Sequence, residues 1–207
     1  MEPLDFLAVV LPSPGHGLYC AAELSTKRKT HRFAAAIEEL EEDIGQWHSA
    51  KKDVYFALAT FDQPGKRTAD NARYINSLFI DMDGYETRKA AVEALDGFLN
   101  KTGLDLLGKP YIVVSGGGLH VYWPFNEPVE IIRWKPVAEA LKRLCQQEML
   151  AIDMTVTADA ARVLRVPGTT NFKAKYEKPR PVRLMVEGDR FAFEDLDKHI
   201  VSLLKEP

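Results

Sequence analysis

The chain has 207 residues, 46% of them hydrophobic and 28% charged, with a formal net charge of -3. That composition excludes bulk disorder, because a chain of this length can bury roughly 70% of its unfolded surface. No run approaches the ~20 apolar residues that cross a bilayer, and the acidic start MEPLDFLAVV lacks the basic segment of a secretory leader, so a cytoplasmic protein away from membranes is expected.

Residues 7–11 read as a short apolar strand ended by Pro12-Ser13-Pro14-Gly15. Residues 33–45 place Phe33, Ala36, Ile37, Leu40 and Ile44 at helical spacing and predict an amphipathic helix. A strand is expected over 53–61, a polar loop over 63–73, and a strand over 77–82, where β-branched and aromatic residues run together. A helix over 87–100 follows, then strands over 111–115 and 119–125 around three glycines. Residues 131–149 predict a helix with Val137, Leu141 and Leu144 inward. A short helix over 159–164 stopped by Pro167-Gly168, a strand over 181–186 and a helix over 193–204 complete the chain, which stops there as a piece of a longer protein does. Strands and helices alternate irregularly, so the fold class is α/β or α+β with a mixed sheet.

Cys20 and Cys145 stand far apart with no CxxC, so neither a zinc site nor a disulfide framework is expected. Charge is uneven. Lys27, Arg28, Lys29, His31 and Arg32 form a basic run, and Glu38 to Asp43 an acidic one. Arg162, Arg165, Lys173, Lys175, Lys178, Arg180 and Arg183 are opposed only by Glu177. An acidic total with a basic strip near clustered carboxylates suits a metal-dependent enzyme acting on phosphates. A solvated surface is the plain alternative for each run.

Three features bear on chemistry. In Phe79-Ile80-Asp81-Met82-Asp83-Gly84, strand alternation puts Asp81 and Asp83 on one side with Met82 opposite. Paired carboxylates raise each other's pKa unless a cation lies between them, and Mg²⁺ or Mn²⁺ is the natural one. The plain alternative is a strand end turning at Gly84. In Ser115-Gly116-Gly117-Gly118-Leu119-His120, converging N–H groups, the Ser115 hydroxyl and His120 would hold an anion, with Gly117 at a positive φ. A simple hairpin is the alternative. Finally, Asp153 follows an apolar segment and could complete a three-carboxylate site, while Arg162 and Arg165 would share a helix face and grip phosphate. Asp159 reads as an N-cap or arginine partner, and a salt-bridge role is the alternative for the two arginines.

The ordered set of DxD, SGGGxH, a lone Asp and ARVLRVPGTTN resembles the archaeo-eukaryotic primase superfamily, and within it the primase-polymerase branch, from about residue 55 to 171. The resemblance implies a single domain. It would hold an N-terminal α/β unit over about 1–75, an RRM-like catalytic core over about 76–190 and a closing helix over 193–205. It implies template-dependent nucleotidyl transfer in DNA replication, using two divalent ions, Mg²⁺ or Mn²⁺, on Asp81, Asp83 and Asp153, and no zinc. Ser115, Gly116, Gly117, Gly118, His120, Arg162 and Arg165 would hold the nucleotide. Lys173, Lys175 and Arg180 would line the path of single-stranded DNA template and primer. Substrates would be dNTPs or NTPs. A helicase or helical priming domain would lie outside this chain.

Two other classes compete. A haloacid-dehalogenase-like phosphatase also begins with DxDG, with Asp81 as nucleophile, and Gly188-Asp189 mimics its late Gly-Asp. Against it, about eighty residues precede the motif and Tyr85 follows it. A non-catalytic nucleic-acid-binding module is the third class, and the intact three-Asp set argues against it.

Overall fold

A computed structural model describes residues 2–25 and 29–205, so Lys27 and Arg28 of the first basic run lie outside the described residues. In chain order the elements are α1 (Pro3–Val10), β1 (Tyr19–Glu23), β2 (Thr30–Ala34), α2 (Glu41–Ser49), β3 (Val54–Ala57), β4 (Ala59–Phe61), β5 (Ala72–Met82) and α3 (Arg88–Thr102). Then come β6 (Tyr111–Val114), β7 (Leu119–Glu130), α4 (Ile131–Gln147), β8 (Val163–Arg165), β9 (Thr170–Asn171), β10 (Arg180–Pro181), β11 (Arg183–Val186) and α5 (Phe193–Leu203).

Two sheets result. One has the order β2-β1-β3-β8, the other β11-β6-β7-β5-β4, and β9 pairs with β10 alone. The fold class is α+β as expected. The sheets are antiparallel rather than mixed, because every ladder between described strands is antiparallel and the parallel contact is an isolated bridge, Phe125–Phe191. Residues 53–61 form two strands, not one. Leu58 breaks the run, so β3 joins the first sheet and β4 the second. β8 returns from late in the chain to the first sheet.

Three other expectations change. The 7–11 segment is the end of a helix, since Pro3 occupies its first turn and the Asp5 carboxylate accepts the Glu2 N–H at 3.3 Å. Those start signals outweigh the β-branched run that follows. Phe33 belongs to β2, opposite Cys20, and the helix begins only at Glu41, although Ile37, Leu40 and Ile44 are buried as the spacing required. Residues 159–164 are not helical. Asp159 accepts the Ala161 N–H at 2.9 Å in a turn, and Val163 and Leu164 pair with β3.

The core is continuous. Phe6 of α1 meets the Tyr122 ring edge-on at 5.3 Å, and Trp134 of α4 stacks on Phe79 while donating its indole N–H to the Ser77 carbonyl at 3.0 Å. Both thiols are buried and pushed up to about 12 by that burial, so neither is reactive.

Candidate active site

The long β5–β7 ladder places Asp81 opposite His120, and β5 ends one residue before Asp83. Asp153 is brought beside them by the chain itself: its N–H donates to the Asp81 carbonyl at 2.8 Å. All three carboxylates line one cavity of about 320 Å³, together with Ser115, Gly117, His120, Arg162, Arg165 and Lys173.

Asp81 is the unusual group. Its side chain is 13% exposed, and Oδ1 is buried with no hydrogen-bond partner among the described residues. Burial first, then the charges of Asp83 and Asp153, push its carboxyl up to about 7, against the pull of Arg162 and Lys173. His120 does not relieve it. The imidazole is buried, which together with Arg165 and Lys173 drives its pKa down to about 3, so it is neutral at ordinary pH. Its Nε2 lies 3.7 Å from Asp81 Oδ1, and its Nδ1 lies 3.4 Å from the Tyr122 hydroxyl. Burial keeps Tyr122 a phenol, so it can donate to Nδ1 and leave the imidazole proton on Nε2, facing the cavity.

Asp153 behaves differently. Burial alone would raise its pKa, but the Thr155 hydroxyl and N–H donate to Oδ1 at 2.7 and 2.8 Å and hold it below the usual value, with Arg162 adding to this 3.9 Å from Oδ2. Among the described residues, no group of three or more carboxylate, imidazole or thiolate side chains forms a ready-made metal cage. The donor chemistry nevertheless fits a cation. A buried carboxylate with an unsatisfied oxygen, held against two like charges, is costly unless a positive ion meets it. Hard divalent ions with few protein ligands complete their shells with water and substrate oxygens.

The glycine turn departs from the expected cradle. Gly118 and Gly117 donate their N–H groups to Ser115 Oγ at 3.0 and 3.4 Å, so these donors brace the turn. The positive φ falls on Gly116 (+81°), not Gly117. Gly118 is needed for space instead, because a Cβ there would overlap the Met82 backbone carbonyl, whereas a Cβ on Gly117 would meet only the hydroxyl end of the Tyr176 side chain.

Arg162 and Arg165 reach the cavity from an extended segment, not from a shared helix face. Arg165 is buried and donates to the Asp53 carboxylate at 2.6 Å, and its guanidinium stacks 4.7 Å from the Tyr55 ring centroid. Its Nη2 is buried without a hydrogen-bond partner among the described residues. The three expected strand-binding residues separate. Lys173 lines the carboxylate cavity, Lys175 is exposed over Tyr176, and Arg180 lines a second cavity across the glycine turn with Gly116 and Gly118.

Sequence reasoning missed Asp53 and Tyr55, which hold Arg165, and Tyr176, which covers Gly117. Asp53 had a weak signal, an acid preceding an apolar strand. Lys29, from the first basic run, and Arg67, from the polar loop over 63–73, also line the carboxylate cavity. Asp189 does not. It accepts the Lys109 N–H at 2.8 Å beside the far end of β6 and does not line that cavity, so the late Gly-Asp of a phosphatase is not in place.

No protein-family model matches the chain. A replication protein of Clostridium perfringens is 33% identical over a stretch covering 63% of this chain, and the chain spans about a third (34%) of that relative's length. The archaeo-eukaryotic-primase domain of the cyanophage S-2L primase-polymerase superposes with a TM-score of 0.68 at 15% identity, covering 99% of this chain and 97% of that one. The catalytic domain of primase RepB′, solved with initiator DNA, superposes with a TM-score of 0.59 at 14% identity, over 98% and 95% of the two chains. Likeness at that identity concerns fold, and the conclusion it supports is that the chain has the α+β fold of the archaeo-eukaryotic primase catalytic domain, in the form found in primase-polymerases.

Proposed function

We propose that this chain is a nucleotidyltransferase domain of the primase-polymerase type, acting in replication on a single-stranded DNA template. The observation that carries the reading is the buried, unpartnered Asp81 oxygen among three carboxylates, in a cavity whose other walls are cationic. That pairing suits a substrate bringing both phosphates and divalent ions. The fold and the replication-protein relative support the same class.

In this reading Asp81, Asp83 and Asp153 hold two Mg²⁺ or Mn²⁺ ions. When bound, these supply a lower pKa for the attacking 3′-hydroxyl and charge neutralisation for the departing pyrophosphate. The 3′-hydroxyl gives up its proton to water, its oxygen forms a bond to the α-phosphorus, and the bond from that phosphorus to the bridging oxygen of the β-phosphate breaks, releasing pyrophosphate. The chain's own groups do the positioning. Arg165 offers Nη2 to a phosphate oxygen, held in place by Asp53 and Tyr55. Arg162, Lys173, Arg67 and Lys29 add charge to the same wall. His120 donates from Nε2, oriented by Tyr122. Ser115 keeps the glycine turn in shape rather than touching substrate. The sheet β2-β1-β3-β8 carries part of the phosphate wall, while the sheet β11-β6-β7-β5-β4 carries Asp81 and His120, with Asp83 just past the end of β5 and Asp153 in the segment between α4 and β8. A helicase or helical priming module would come from outside this chain.

The test is extension of a primer on a single-stranded template with Mg²⁺ or Mn²⁺, run with dNTPs and with NTPs, beside phosphate release from a small phosphoester. Template-directed extension supports the reading. Phosphate release dependent on Asp81, without extension, would replace it with the phosphatase class.

A further inference from the structure

A second cavity of about 360 Å³ lies on the other side of the glycine turn from the carboxylates, lined by Arg88, Arg180 and Arg183 against a single acid, Glu86. The lining therefore carries a net +2, three arginines less one glutamate. It contains none of Asp81, Asp83 or Asp153, so it lacks the groups a metal-bound triphosphate would use. Tyr85, Val114 and Pro181 give it an apolar floor.

The arginines are presented, not neutralised. None forms an ion pair among the described residues. Arg180 is fixed: Nη1 donates to the Gly116 carbonyl at 3.0 Å, and the guanidinium lies 3.9 Å from the Tyr176 ring centroid. Its remaining guanidinium N–H groups make no other hydrogen bond among the described residues, which leaves them for a ligand. Arg183 stands opposite Val114 on β11, and Arg88 is the first residue of α3, so both sit on rigid elements. Gly117 lines both cavities, which makes the two neighbours across one turn. Guanidinium groups held this way suit phosphate oxygens, and planar forks match them better than a lysine ammonium does.

We propose that this cavity binds the phosphodiester backbone of the nucleic-acid strand entering or leaving the carboxylate site, with Arg88, Arg180 and Arg183 as its contacts. The assignment rests on the polymerase reading above and adds Arg88 and Arg183, which the basic strip of the sequence did not single out as contacts. It also separates two jobs: Lys173 faces nucleotide, and Arg180 faces strand.

The experiment compares wild type with Arg88→Ala/Arg183→Ala for binding of a labelled single-stranded oligonucleotide at several salt concentrations, and for binding of a nucleoside triphosphate with Mn²⁺. Two lost contacts should weaken strand binding and flatten its log–log salt slope by about 1.4, at roughly 0.7 per contact. Triphosphate binding should not change. Glu86→Gln should tighten strand binding. Using an unprimed strand and a primed one separates sources: a loss on both marks the template, and a loss confined to the primed form marks the primer. An unchanged slope in the double variant, or a wild type that binds no strand, overturns the cavity assignment. A wild type that binds strand with the expected slope change but incorporates no nucleotide overturns the polymerase reading and leaves the cavity assignment standing.

Discussion

Asp81 is the residue on which the site's electrostatics turn. Its carboxyl is raised from 3.8 to about 7, by burial first and then by Asp83 and Asp153. Below pH ~4 folded and unfolded chains both hold this proton, and the group costs nothing. As pH rises, the unfolded chain releases the proton first, so stability falls until the pH passes the folded value. About three pH units at ~1.4 kcal/mol each bound the cost at roughly 4 kcal/mol. Asp81→Asn should therefore raise the Tm of the metal-free protein at pH 8 and leave it unchanged near pH 4. Thermal melts at the two pH values check this, and equal shifts at both would contradict it. Arg165 is a second such point. It is a buried cation with one N–H on Asp53 and another nitrogen, Nη2, unpartnered. Arg165→Lys keeps the charge and loses the fork, so the nucleotide KM should rise by roughly 1.5–3 kcal/mol equivalent, ten-fold or more, with kcat less affected. Steady-state kinetics measure it, and an unchanged KM would remove Arg165 from the nucleotide site.

At the scale of elements, the turn between β6 and β7 is the tightest constraint. A Cβ at Gly118 would overlap the Met82 carbonyl and come within 2.6 Å of Asp83 Oδ1. Gly118→Ala must therefore displace the strand end that carries the carboxylates. We expect a loss of stability on the order of 1–3 kcal/mol, as overpacking gives, and a larger loss of incorporation. A variant with wild-type melting and wild-type incorporation would show that the turn yields freely. Much of this was legible in the sequence. The DxD strand, the hairpin around the glycines, and the helices α3, α4 and α5 follow from local pattern and start signals, because each is decided by its own residues. The misread elements are those decided elsewhere. Phe33 is strand because β1 lies beside it, and Val163–Arg165 is strand because β3 accepts it from more than a hundred residues away. Asp53 could not be paired with Arg165 from spacing alone for the same reason. The site residues named from motif order do gather in one cavity or at its edge, except Lys175, Arg180 and the two glycines that face the neighbouring cavity.

For the molecule as a whole, two antiparallel sheets meet at a cavity with carboxylates on one wall and cations on the other. β4 and β8 each cross into the sheet built mainly by the other part of the chain, which ties the two walls together. Lys173 and Lys175 are two residues apart yet play different parts. Lys173→Ala should raise the nucleotide KM, because Lys173 lines the carboxylate cavity, whereas Lys175→Ala should leave it unchanged. Equal effects would mean that the loop contributes only diffuse charge. If this arrangement transfers nucleotides through Asp81, single-nucleotide addition to a primed single-stranded template with Mn²⁺ will depend on that carboxylate. Wild type and Asp81→Asn would be compared after both are shown to be folded. Wild type should add the nucleotide opposite the templating base, and Asp81→Asn should lose roughly 100-fold or more, the scale for removing a group that stabilises transition-state charge. Extension by Asp81→Asn at the wild-type rate, or no addition by folded wild type with either Mn²⁺ or Mg²⁺, would contradict nucleotide transfer through Asp81.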